Sequence, residues 1–204
     1  SFKYPATELA TGILFLLAAL HTGFSLQFVH AAVFFSLLVV AFRTDLDEFI
    51  VLDEVSIGGT VAGIGLSLLP GGIGILSSVA AAAGAFLFFL LIRTGASIYL
   101  KKNNIRTEAP EGFEDEEDDF QGGMGWGDVK LAACIGAFLG PEKTIMALFA
   151  AFLSGAVIGI ILMAATRRGR RVPIPFGPFM ALGAVIGLLM GDSLWVRYID
   201  LITL

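Results

Sequence analysis

The chain has 204 residues, of which 56% are hydrophobic and 15% charged, where a soluble domain carries about 25% charged residues. Its single cysteine, Cys134, excludes a disulfide framework and a cysteine-based zinc site. The net charge of −5 is local: Glu108, Glu111, Glu114, Asp115, Glu116, Glu117, Asp118 and Asp119 crowd one segment, and the remainder carries ten acids against thirteen bases.

No Asp, Glu, Lys or Arg occurs from Leu9 to Phe42, from Val55 to Ile92, from Thr144 to Thr166 or from Val172 to Gly191. At about 1.5 Å per helical residue, each stretch crosses a hydrocarbon core of roughly 30 Å once or twice. The pattern predicts an all-α, polytopic transmembrane bundle of about seven spans, occupying residues 1–204 as one membrane-embedded domain.

In chain order, the first spans cover about 5–22 and 26–42. The run from Val55 to Ile92 is too long for one helix and breaks at Pro70-Gly71-Gly72, a turn signal, so it supplies spans 55–69 and 74–100. A polar, acidic loop follows at 101–121. The fifth span, 125–140, ends at Gly140-Pro141; the sixth and seventh cover 144–166 and 176–190, and 191–204 forms an interfacial tail. His21 and His30 lie near the ends of apolar runs without metal-ligand spacing, and read as polar anchors. The first apolar run lacks the basic start of a cleavable signal peptide.

Lys and Arg set the orientation. With the N-terminus cytoplasmic, Lys3, Arg43, Arg93, Lys101, Lys102, Arg106, Arg167, Arg168, Arg170 and Arg171 all fall inside, and Lys143 and Arg197 outside. Asp45 then closes the second span and Asp128 opens the fifth on the same, cytoplasmic side. Because only 12 residues separate Val129 from Gly140 inclusive, Asp128 is expected to lie shallowly in the membrane, reached by water from the cytoplasm.

An acid inside a membrane helix costs about 2.5–3.5 kcal/mol on insertion scales and is a functional signal by default. Two carboxylates at one face suggest an aspartyl protease, in which one acid holds a proton while the other takes one from water; adjacent carboxylates titrate as a pair. Gly125 and Gly127 flank Trp126 immediately before Asp128, and are expected to let a substrate backbone approach. Lys130 either pairs with a nearby acid or snorkels to the interface. The rival reading is a transporter or ion channel using Asp45 and Asp128 as an ion site; a third is an inactive scaffold protein. The four-residue glycine spacings Gly59/Gly63, Gly155/Gly159 and Gly183/Gly187/Gly191 suit close helix packing.

Four stretches resemble the type IV prepilin peptidase family of membrane aspartyl proteases: Lys3-Tyr4-Pro5 with Glu8; Asp45-Leu46-Asp47 with Asp53; Gly123 to Leu131, which contains Gly125-Trp126-Gly127-Asp128-Val129-Lys130-Leu131; and Ile174-Pro175-Phe176-Gly177-Pro178-Phe179 with Ala181 and Gly183. The resemblance implies Asp45 and Asp128 as the catalytic pair, with Asp47 and Asp53 in supporting roles; the residues themselves suggest Gly125, Gly127 and Lys130 as supporting or substrate-binding positions, and no metal or other cofactor is expected. It implies cleavage of prepilin or pseudopilin leader peptides after a glycine, at the cytoplasmic face of the bacterial inner membrane, with the lipid bilayer as surroundings and no nucleic acid as partner. Leu52 stands where bacterial members commonly have proline, a change in loop stiffness. Bifunctional members carry, ahead of this region, a further span and a zinc-binding domain used for methylation; the Lys-Tyr-Pro opening favours such a part having preceded Ser1. Methyltransfer is not expected from these 204 residues, which carry no cofactor-binding signature. The acidic loop reads as a solvated tether, or as a lure for a basic leader through screened long-range attraction.

Overall fold

The computed structural model describes residues 3–103, 124–166 and 174–203. Six α-helices make up the fold: α1 (Lys3–Thr22), α2 (Leu26–Glu48), α3 (Asp53–Leu66), α4 (Ile75–Lys102), α5 (Trp126–Thr166) and α6 (Gly177–Ile202). Five of these, all but α3, are long and apolar enough to cross a membrane. The 14 residues of α3 extend only about 21 Å. The acidic segment Glu108–Asp119 lies outside the described residues, as do Arg106 and the arginines from Arg167 to Arg171.

Local chemistry sets the helix ends. Ser25 caps α2 by accepting from the Gln27 N–H at 3.2 Å, which occupies one of the donors left free at a helix start. Past Phe42 the charged residues do not stop α2, and it runs on to Glu48, so Asp45 and Asp47 sit in its last turns. Phe49 then takes a left-handed conformation, φ 55°, and returns its N–H to the Asp45 carbonyl at 3.0 Å. Asp53 and Glu54 occupy the first turn of α3, where negative charge complements the helix dipole. Similarly, α6 continues through the tail to Ile202.

Gly140 divides α5 into two arms. Its φ of 74° and ψ of 175° are not helical, a combination open to glycine, and Pro141 follows at the position where a helix start tolerates proline. The arms run in opposite directions. Along the first, Trp126 meets Arg93 near the end of α4, while Ala137 accepts from Ser78 near its beginning. Along the second, Phe152 has come back beside Phe89 and Phe176, with ring centroids 5.7 and 5.3 Å away. Counting both arms, the chain reverses six times, in keeping with about seven passes.

The first arm is the centre of the bundle. Val129, Leu131, Ala132, Cys134, Ile135 and Phe138 are all buried, as are Phe34, Phe35 and Leu38 of α2; Phe34 and Phe138 stack at 4.6 Å. Apolar burial gives little net gain against lipid, so close packing and hydrogen bonds hold such helices together. Gly183 fits directly against the Ala147 carbonyl and the Ala151 N–H, and a Cβ at Gly63 would lie 2.7 Å from the Phe138 ring. At Gly155/Gly159 only the first glycine is closely packed: a Cβ at Gly155 would lie 3.3 Å from the Phe176 ring, whereas one at Gly159 meets nothing nearer than 4.0 Å.

Gly183→Ala is therefore expected to destabilise the purified protein by about 1–3 kcal/mol through overpacking. Gly159→Ala should be neutral or raise the melting temperature slightly, through better helix propensity. Thermal melts in detergent check both.

Candidate functional site

Five chain segments converge at one end of the bundle: the end of α2 with Asp45, the loop 49–52, the start of α3 with Asp53, the start of α5 with Asp128, and the start of α6 with Gly177. Asp45 is 6% exposed. Its Oδ2 accepts a hydrogen bond from the Gly177 N–H at 2.7 Å, across 132 residues of sequence. Asp128 is partly exposed. Its carboxyl group faces the Gly125 N–H and lies close enough to Asp45 for the charge of one to act on the other.

The remaining acids and Lys130 are engaged elsewhere. Asp47 holds Lys3 at 2.8 Å and Arg43 at 2.7 Å, tying the start of α1 to the end of α2. Lys130 reaches Asp53 at 2.6 Å and ties α5 to α3; of the two readings open to it, ion pairing is the one realised. Asp53 is largely exposed, and an ion pair of this kind contributes about 0–1 kcal/mol. Asp47 and Asp53 thus brace the segments that carry Asp45 and Asp128.

The two glycines beside Trp126 differ. A Cβ at Gly127 would stand 2.9 Å from the Cβ of Val51, so the close approach there is made by the chain's own 49–52 loop. At Gly125 the nearest atom would be 3.8 Å away, leaving its surroundings open. Trp126 is 40% exposed, and the Arg93 guanidinium stacks on it at 4.4 Å from the ring centroid. Arg93 is itself 8% exposed, and a shielded cation over an indole contributes about 1–2 kcal/mol.

Arg93 was not legible as a member of this site, its only signal being a cation late in an apolar helix; Gly177 lay in a stretch that resembles the family, but nothing in that stretch pointed to Asp45. Among the described residues no group of three or more His, Cys, Asp or Glu is placed to hold a metal ion. Chemically, two carboxyl groups within reach of each other's charge form an arrangement suited to general acid–base work on a bound water.

Residues 32–160 match the model of the Type IV leader peptidase family. The chain belongs to that family. Asp45, Asp53 and the whole Gly125–Lys130 stretch lie inside the matched range, and Gly177 outside it. The chain is 32% identical over 201 residues to a prepilin leader peptidase/N-methyltransferase of Bacillus subtilis, covering 98% of this chain and 71% of that protein. It is 29% identical to the corresponding Legionella pneumophila protein and 28% identical to that of Aeromonas salmonicida, covering 63% of each. No solved structure matches. Family membership and the five long apolar helices make this leader peptidase homologue a multi-pass membrane protein.

Gly127→Ala should destabilise the protein by about 1–3 kcal/mol, since Val51 has no room to give. Gly125→Ala should leave the melting temperature within about 1 °C. Paired thermal melts, with expression level as a second readout, distinguish the two positions.

Proposed function

We propose that this chain is an aspartic endopeptidase that removes the N-terminal leader of type IV prepilins or pseudopilins, with Asp45 and Asp128 as its catalytic pair. The observation that supports the reading is that two carboxyl groups, 83 positions apart in sequence, lie within reach of each other's charge at one end of an apolar bundle in a leader peptidase family member. The relatives' names supply the substrate class. The excess of Lys and Arg at the same end supports a cytoplasmic site in a bacterial inner membrane, and the resemblance to the prepilin peptidases implies cleavage after a glycine and before a hydrophobic residue.

The chemistry needs no further group. One ionised carboxylate takes a proton from a water molecule as its oxygen attacks the scissile carbonyl carbon. The other carboxyl group gives its proton to the carbonyl oxygen. The tetrahedral diol then collapses: the C–N bond breaks, the nitrogen is protonated, and a carboxylic acid and an amine leave. The proposal concerns the peptidase reaction alone; the methyltransferase named in the relatives forms no part of it.

Asp45→Asn and Asp128→Asn should each lower cleavage of a purified prepilin by about 10²–10⁴-fold with little change in melting temperature, and kcat/KM of the unaltered protein should be bell-shaped in pH, as a carboxyl pair requires. Gel-based cleavage in detergent or proteoliposomes measures both. Full cleavage by either variant would end the aspartic peptidase reading, and an intact leader with the unaltered protein would favour an ion site.

A further inference from the structure

Gly177 lies outside both acidic motifs, yet its N–H reaches the Asp45 carboxylate. Its N–H donates to Oδ2 at 2.7 Å in a buried contact. The side of Gly177 where a side chain would project is already filled: a Cβ there would stand 2.5 Å from Oδ2 and 3.0 Å from both the Cβ and Cγ of Asp45. The carboxylate thus occupies the volume that any other residue type would need.

The seat is built into the start of α6. Gly177 is the first helical residue and Pro178 follows it, with a fixed φ and no N–H of its own. The next two donors turn back into the helix, Phe179 N–H and Met180 N–H both bonding to the Phe176 carbonyl at 3.0 and 3.1 Å. The Gly177 N–H is aimed instead at Asp45. Phe176 anchors this turn from the other side, with its ring 5.3 Å from Phe152 and 6.3 Å from Phe89.

We propose that Gly177 is a positioning residue for the peptidase reaction: its N–H fixes Oδ2 of Asp45, and its missing side chain is the socket that holds the carboxylate beside Asp128. The proposal rests on the reading of Asp45 and Asp128 as the catalytic pair. It assigns the two oxygens of Asp45 different tasks. Oδ2 is held by the backbone, and Oδ1 is the oxygen through which Asp45 exchanges protons. Hydrogen bonding to one oxygen of a carboxylate also biases its protonation, so disturbing the seat changes the pH dependence of cleavage as well as its rate.

The test is Gly177→Ala in the purified full chain, assayed on a leader-bearing prepilin and by thermal melting, with Asp45→Ala and the Asp45→Ala/Gly177→Ala double variant melted alongside. Gly177→Ala is expected to lower kcat at least tenfold with KM within about twofold, and to displace one limb of the pH–rate profile. Its loss of melting temperature should vanish in the Asp45→Ala background, where the removed carboxylate leaves room for the new methyl group. Wild-type kcat and pH profile in Gly177→Ala would overturn the proposal. So would an equal fall in melting temperature in both backgrounds, which marks a packing role unrelated to Asp45. If Gly177→Ala does not fold, recovery of folding in the double variant supports the seat, and failure there overturns it. An unaltered protein that cleaves no leader removes the peptidase reading itself, whereas the melting comparison still reports on the contact.

Discussion

The hydrogen bond from the Gly177 N–H to the Asp45 carboxylate, 2.7 Å long and buried, joins the end of α2 to the start of the last helix. Its formation requires both segments to arrive at the same end of the bundle at nearly touching distance. That in turn requires α6 to lie flush against the second arm of α5, which the contacts of Gly183 with Ala147 and Ala151 permit. A carboxylate that is almost fully shielded needs partners for its oxygens, and the free N–H of a helix start is well suited to be one.

Among the described residues, most of the ion-paired groups lie at the end where this bond forms. Asp45, Asp47, Asp53, Arg93, Asp128 and Lys130 gather at one end, braced by the Lys3–Asp47–Arg43 and Lys130–Asp53 pairs. The opposite end is closed by turns: Gln27 donates to the Gly71 carbonyl, and Thr144 donates to the Gly140 carbonyl where α5 folds back. Between them lies a rod of small and aromatic residues whose stability comes from fit. The first arm of α5, buried along most of its length, carries Asp128 at its head, so the depth and direction of that acid are set by a closely packed helix.

Much of this is legible in the sequence because it depends on local rules. Uncharged runs mark the helices, Pro70-Gly71-Gly72 and Gly140-Pro141 mark reversals, and an acid within apolar surroundings marks Asp128. Helix lengths were harder to read: charge ends an apolar run without ending a helix, and so α2 reaches Glu48 and α6 reaches Ile202. Relations between distant residues were not legible. Nothing near Gly127 announces that Val51 will fill its side, nothing near Lys130 selects Asp53, and nothing near Phe176-Gly177-Pro178 points to Asp45. Such pairings are properties of the packed bundle, where a glycine is required by what lies against it and not by its neighbours in the chain.

The central claim is that Asp45 and Asp128 stand together in the resting protein, before any substrate arrives. Short-span thiol cross-linking tests it most directly. With Cys134 replaced by alanine, cysteines introduced at 45 and 128 are treated in intact membranes with a short bifunctional thiol reagent, and linked peptides are read by mass spectrometry. A second protein carries cysteines at 45 and 192, the latter being the acid paired with Lys143 at the opposite end of the bundle. The account predicts an intramolecular 45–128 link without substrate and no 45–192 link. Single labelling of both cysteines at 45 and 128 by a monofunctional reagent, with no link between them, would contradict it.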